Sequence, residues 1–138
     1  MSWVNKLENK IFTIVEARTK SAIGSKYTDL NFTMDGEPDD TKNHFPTVYI
    51  HYMPSYERGE TFDADDVNAI MSTIQIEVTA SKSQGQNVAR EVAWEVITQF
   101  KKLKYKMNLA PEIIATGNDT SKVVARVKRM IGGGDTIE

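Results

Sequence analysis

The run from Ile70 to Leu103 restricts the fold of this chain more than any other stretch. Ile74, Ile76, Val78 and Ala80 alternate with Thr73, Gln75, Glu77 and Thr79. That two-residue rhythm marks a strand with one buried and one wetted face. Ala89, Val92, Val96, Phe100 and Leu103 then recur at steps of three and four, which is one stripe of a helix. Ser83 stands three residues before Gln86 and predicts a capping box at the helix start. A strand handed to a helix by a short polar turn places that helix back on the sheet's apolar face.

The flanking segments complete such a sheet. Ser2 to about Ala22 reads as a helix, with Val4, Leu7, Ile11, Ile14 or Val15, and Ala22 on one face, widened by Trp3 and Phe12, and Gly24 as its stop. Tyr27 to Met34 is expected to be a first strand. Asp35 to Asp40 has the glycine, proline and short acids of a loop. From Phe45 to Met53, Val48, Ile50 and Tyr52 alternate with Thr47, Tyr49 and His51, and Pro54 closes the strand. Ser55 to about Asn68 reads as a long polar loop, of a length that is usually functional or mobile. Pro111 to Thr116 and Lys122 to Ile131 form a hairpin around Gly117-Asn118-Asp119. The expected fold class is α+β: one mainly antiparallel sheet with two helices packed on one face. Residues 1–131 form a single domain, and 132–138, opening on three glycines, form a flexible C-terminal tail.

With 138 residues, 40% of them hydrophobic, the chain suits one core. It has no cysteine, which excludes disulfides and thiolate metal sites. No apolar run approaches the roughly 20 residues that span a bilayer, and the N-terminus lacks the sections of a secretory signal. A cytoplasmic site of synthesis and assembly is the expectation.

The net charge of −2 hides an uneven distribution. Asp35, Glu37, Asp39, Asp40, Glu57, Glu60, Asp63, Asp65 and Asp66 face only Lys42 and Arg58 between positions 35 and 66. Ten basic side chains lie between Lys82 and Arg129, against Glu91, Glu95, Glu112 and Asp119. Solvated loops and a solvated helix face account for this without a partner. Alternatively, opposite patches on identical subunits meet head to tail, which builds a ring.

Catalytic signals are sparse. His44 and His51 have no spaced partner suggesting a metal pair. Asp63-Ala64-Asp65-Asp66 lacks the glycine and distant glutamate of a calcium loop. The terminal glycines lead into no helix that would bind phosphate. Lysines at positions 101, 102, 104 and 106 around Tyr105, with Lys122, Arg126, Lys128 and Arg129, form a basic set suited to nucleic acid. Their crowding at a helix C-terminus also follows from the macrodipole. The chain is acidic overall and shows no aromatic stacking array. No catalytic residue, metal or cofactor is expected.

Taken together, the early helix, Phe45-Pro46-Thr47-Val48-Tyr49-Ile50, the Thr73-Ile74-Gln75-Ile76-Glu77-Val78 strand with its turn and helix, and Val123-Val124-Ala125-Arg126-Val127-Lys128-Arg129 resemble the tail terminator (tail completion, head–tail joining) proteins of long-tailed bacteriophages. The resemblance spans nearly the whole chain as an order of elements, with no invariant signature. It implies a structural, non-enzymatic virion protein, assembled in the host cytoplasm as a homohexameric ring. Such a ring caps the tail tube, stops its polymerisation and presents a joining surface to the head or neck. Its partners are then its own copies, the major tail tube protein and a head-completion or neck protein. DNA passes the lumen without specific binding, and no membrane is involved. The expected interface residues are Glu57, Arg58, Glu60, Asp63, Asp65, Asp66, Arg126, Lys128 and Arg129. A head-completion or neck connector, a small nucleic-acid-binding domain, and a metal-dependent enzyme centred on Asp63, Asp65 and Asp66 are the competing readings.

Overall fold

The computed structural model describes residues 2–34, 44–53, 56–58, 69–116 and 120–132. In chain order these are α1 (Ser2–Ile23), β1 (Asn31–Thr33), β2 (Thr47–Tyr52), β3 (Tyr56–Arg58), β4 (Ala69–Ser81), α2 (Gly85–Lys102), β5 (Lys106–Thr116) and β6 (Thr120–Gly132). The strands form one sheet in the order β1-β2-β4-β6-β5, with β3 pairing to β4. β1 runs parallel to β2 and every other pairing is antiparallel. The chain is therefore an α+β fold on a mainly antiparallel sheet.

β4 is the centre of this sheet, for the reason its sequence gives. Its burial alternates without a break from Ala69 to Ser81, and Ile70, Ile74, Ile76, Val78 and Ala80 lie in the core. Val48 and Ile50 of β2 sit opposite Val78 and Ile76. Val123, Ala125 and Val127 of β6 sit opposite Val78, Ile76 and Ile74. One register thus aligns three apolar rows on the same face, and a slip of one residue would turn all of β4 inside out.

Both helices cover that face. α2 packs across β4, β6 and β5 and against α1, burying Ala89, Val92, Ala93, Val96, Ile97 and Phe100. α1 contributes Ile11 and Val15 to the same cluster. It is fixed over β1 and β2 by the edge-on contact of Phe12 with Phe32, at 6.2 Å between centroids, and by Tyr52 Oη donating to the Glu8 carbonyl at 2.7 Å. Gly24 ends α1 because the chain passes too close for a side chain: a Cβ there would lie 2.3 Å from the Lys20 carbonyl oxygen. None of the described helices is long and apolar enough to cross a membrane.

Four sequence expectations change. The first strand shrinks to three residues, since only Phe32 of that segment lies in the sheet's apolar row. The segment from Ser55 to Asn68 is not loop throughout, because Tyr56–Arg58 forms β3 against Met71, Ile70 and Ala69. The strand expected from Pro111 begins five residues earlier, at Lys106, and carries register shifts between Met107 and Leu109, Leu109 and Glu112, and Ile113 and Ala115. Lys106, Met107 and Asn108 are all exposed, so the first residues of the strand carry no alternation to be read. The helix start shifts from Ser83: the N-cap of α2 is Gln84, which makes no side-chain capping bond. Gln84 instead accepts from the Ser81 amide at 3.1 Å and donates to the Phe45 carbonyl at 3.3 Å. Gly85, at φ +76°, makes the sharp entry into the helix. The expected loop at 35–40, the turn at 117–119 and the tail beyond Gly132 lie outside the described residues, and Gly132 itself closes β6 opposite Ala69.

Candidate functional site

Alternation that buries one face of β4 necessarily leaves the other face to solvent or a partner. Among the described residues no helix lies on that second face. It carries Tyr49 and His51 from β2, Gln75 and Glu77 from β4, and Lys122, Val124, Arg126, Lys128 and Met130 from β6. Tyr49 and His51, two residues apart, stack with centroids 5.5 Å apart and planes within 9°. His51, Gln75 and Arg126 form one cross-strand row. Arg126 Nε donates to Gln75 Oε1 at 2.9 Å, which holds the guanidinium flat along the sheet. Val124 is buried under its long-chained neighbours, while Met130 is 53% exposed.

The nine residues expected at an interface do not fall in one place. Arg126 and Lys128 lie on the open face. Arg129, the next residue, turns to the helix-covered side, where its Nη1 donates to the Leu103 carbonyl at 2.8 Å. A strand cannot present adjacent residues on one face, so the expected basic strand serves two surfaces. The backbone of Glu57 and Arg58 is in β3, opposite Ile70 and Ala69. Glu60, Asp63, Asp65 and Asp66 lie outside the described residues.

Lys128 and Arg129 meet again at the sheet's end, where Met71, Lys104, Lys106, Lys128, Arg129 and Met130 line a cavity of about 260 Å³. Lys104 and Lys106 belonged in the sequence to a helix-terminal lysine cluster. The structure separates them from Lys101 and Lys102 by ending the helix before them.

A second polar group ties the turn after α1 to α2. Glu91 accepts from Lys26 Nζ and Tyr27 Oη, both at 2.7 Å. The Lys26 bond, ahead of the Tyr27 bond, holds the Glu91 carboxyl below the usual carboxylate range. Burial pushes the Tyr52 and Tyr105 phenols up, Tyr105 to about 12. Tyr105 shares a buried hydrogen bond of 2.8 Å with Ser72. Their hydrogen bonds to Glu8 and Ser72 give these tyrosines a structural role. Among the described residues no three histidines, aspartates or glutamates are grouped to hold a metal ion.

No protein-family model matches the chain, and no curated protein matches it.

Proposed function

We propose that this chain is a structural subunit of a long-tailed bacteriophage tail, a terminator that forms a homohexameric ring on the finished tube. The observation that carries this reading is the open sheet face, with the cations Lys122, Arg126 and Lys128 and the stacked Tyr49–His51 pair, in a chain whose acidic residues gather in sequence between positions 35 and 66. Identical copies with separated charge associate head to tail, and a head-to-tail contact closes into a ring when its rotation divides a full turn. Six weak contacts then reinforce one another through avidity. The mechanism is geometric and needs no catalysis: one ring face matches the last tube ring, and the other gives tube subunits no template. The head-completion or neck protein docks there, DNA passes through the lumen, and the protein's place is the virion.

Sedimentation and light scattering of the protein, alone and with tail-tube protein, test this reading directly. A mass of six subunits on tube ends, weakened by Arg126→Glu, is expected. A strict monomer that never alters tube length sinks the proposal. Micrographs of phage lacking the gene separate terminator from neck connector: overlong or unjoined tails mark the first, unstable filled heads the second.

A further inference from the structure

The cavity at the end of β6 gathers two local violations of folding rules. The first is at Lys104, whose φ of +69° is a left-handed conformation normally left to glycine. α2 ends in a Schellman turn, with Lys104 N donating to Lys101 O at 2.9 Å and Tyr105 N to Phe100 O at 3.1 Å. Glycine is the usual residue at that position. The second is the cross-strand pair Lys106 and Lys128, two like charges placed directly opposite, an arrangement that destabilises a sheet. Both violations put lysine side chains on the same cavity. Among the described residues no ion pair joins Lys104, Lys106 or Lys128 to a carboxylate. Strain concentrated at one place points to function there.

From this we infer that the cavity is a binding site for a phosphate group. Lys104, Lys106 and Lys128 supply mobile ammonium donors, and Arg129 is fixed beside them by its bond to Leu103. Three lysines around about 260 Å³ exceed what one carboxylate neutralises. A phosphate carries up to about two charges and three strong acceptor oxygens, which suits such a set. Met71 and Met130, a cross-strand pair, add an apolar lining. The phosphate is either free or part of a nucleic-acid backbone, because both present the same oxygens. This inference stands apart from the ring reading and does not depend on it.

Calorimetric titration of the full chain with inorganic phosphate, pyrophosphate and a short DNA duplex tests it, against sodium chloride at matched ionic strength. Lys104→Gly and Lys128→Gln are the variants, chosen because each relieves a local violation and so keeps the fold. The wild type binds at least one phosphate probe above the salt control, and each variant binds that probe about tenfold more weakly while melting at a higher temperature without it. A residue with a purely structural role does not give that opposite pair of changes. Tighter binding of the duplex, with a salt slope reduced in the variants, assigns a nucleic-acid backbone. Pyrophosphate binding unmatched by the duplex assigns a free phosphate. Heats equal to the salt control, binding unchanged in both variants, or an acidic polyglutamate peptide binding more tightly than either phosphate probe would each overturn the assignment.

Discussion

The ring of Tyr105 stands edge-on to that of Phe100, with centroids 5.2 Å apart and planes at 72°. Phe100 is fully buried at the end of α2, and Tyr105 follows the turn that ends it. The contact is the apolar clasp that accompanies a Schellman turn, so the helix end is fixed by packing as well as by hydrogen bonds. Phe100→Ala removes both the clasp and a core ring. It is expected to cost about 3–5 kcal/mol in chemical denaturation, whereas Trp94→Ala on the 45% exposed outer face of the same helix changes stability by less than about 0.5 kcal/mol.

In the chain, the strained Lys104 lies between Phe100 and Tyr105. Lys104→Gly is expected to stabilise the fold by about 1 kcal/mol, the strain relieved outweighing the entropy glycine adds to the unfolded chain. Lys104→Ala keeps the positive φ and should bring no such gain. Equal melting temperatures for the glycine and alanine variants would contradict the assigned strain.

The buried bond between Ser72 and Tyr105 makes a double-mutant cycle informative. Tyr105→Phe or Ser72→Ala alone strands a buried partner and is expected to cost about 1–3 kcal/mol. The double variant should cost less than the sum of the two, because no partner is then stranded.

Alkaline stability follows from the same phenol. Its folded value, raised by burial from 10.0 to about 12, lies above the unfolded one. The contribution is therefore fully present below pH 10 and is lost as pH rises from about 10 through about 12. Denaturation midpoints should fall across that window, and less steeply in Tyr105→Phe. Burial raises Tyr52 as well, so the remaining slope belongs partly to that residue.

On the acid side Glu91 and Glu8 act with opposite sign. Glu91 is held below its usual range by Lys26 and Tyr27, so its contribution is present above the unfolded carboxyl value and is lost as pH falls through the folded one. Glu8 is raised by burial, so its contribution is present at low pH and lost as pH rises. Glu91→Gln should flatten the acid limb of a stability–pH curve, and Glu8→Gln should steepen it.

The core was legible in the sequence wherever one period persisted. Ile74, Ile76 and Val78, and then Ala89, Val92, Val96 and Phe100, predict both their elements and the face each buries. Legibility ended where the period broke. Lys106, Met107 and Asn108 open β5 with no buried face to give a period, and β3 is too short to have one. Ser83 and Gln86 have the right spacing for a box, but Gln84 takes the turn by bonding to Ser81 and Phe45, and position 45 is remote in sequence. The cationic cavity was half visible: its lysines were read as a helix-end cluster and its Lys128 and Arg129 as one strand face. Only the turn at Lys104 and the pairing of Lys106 with Lys128 bring them together.

The irregularity of β5 has a consequence for any assembly. β5, β1 and β3 are the borders of the described sheet, and such borders offer free backbone groups on which a foreign strand can crystallise. β5 is interrupted by three shifts and by Pro111, which has no amide to offer, and β1 is only three residues long. None of these borders offers another copy a long, uninterrupted edge among the described residues. Copies of this protein can therefore meet through faces and side chains while open-ended growth by strand addition stays closed to them.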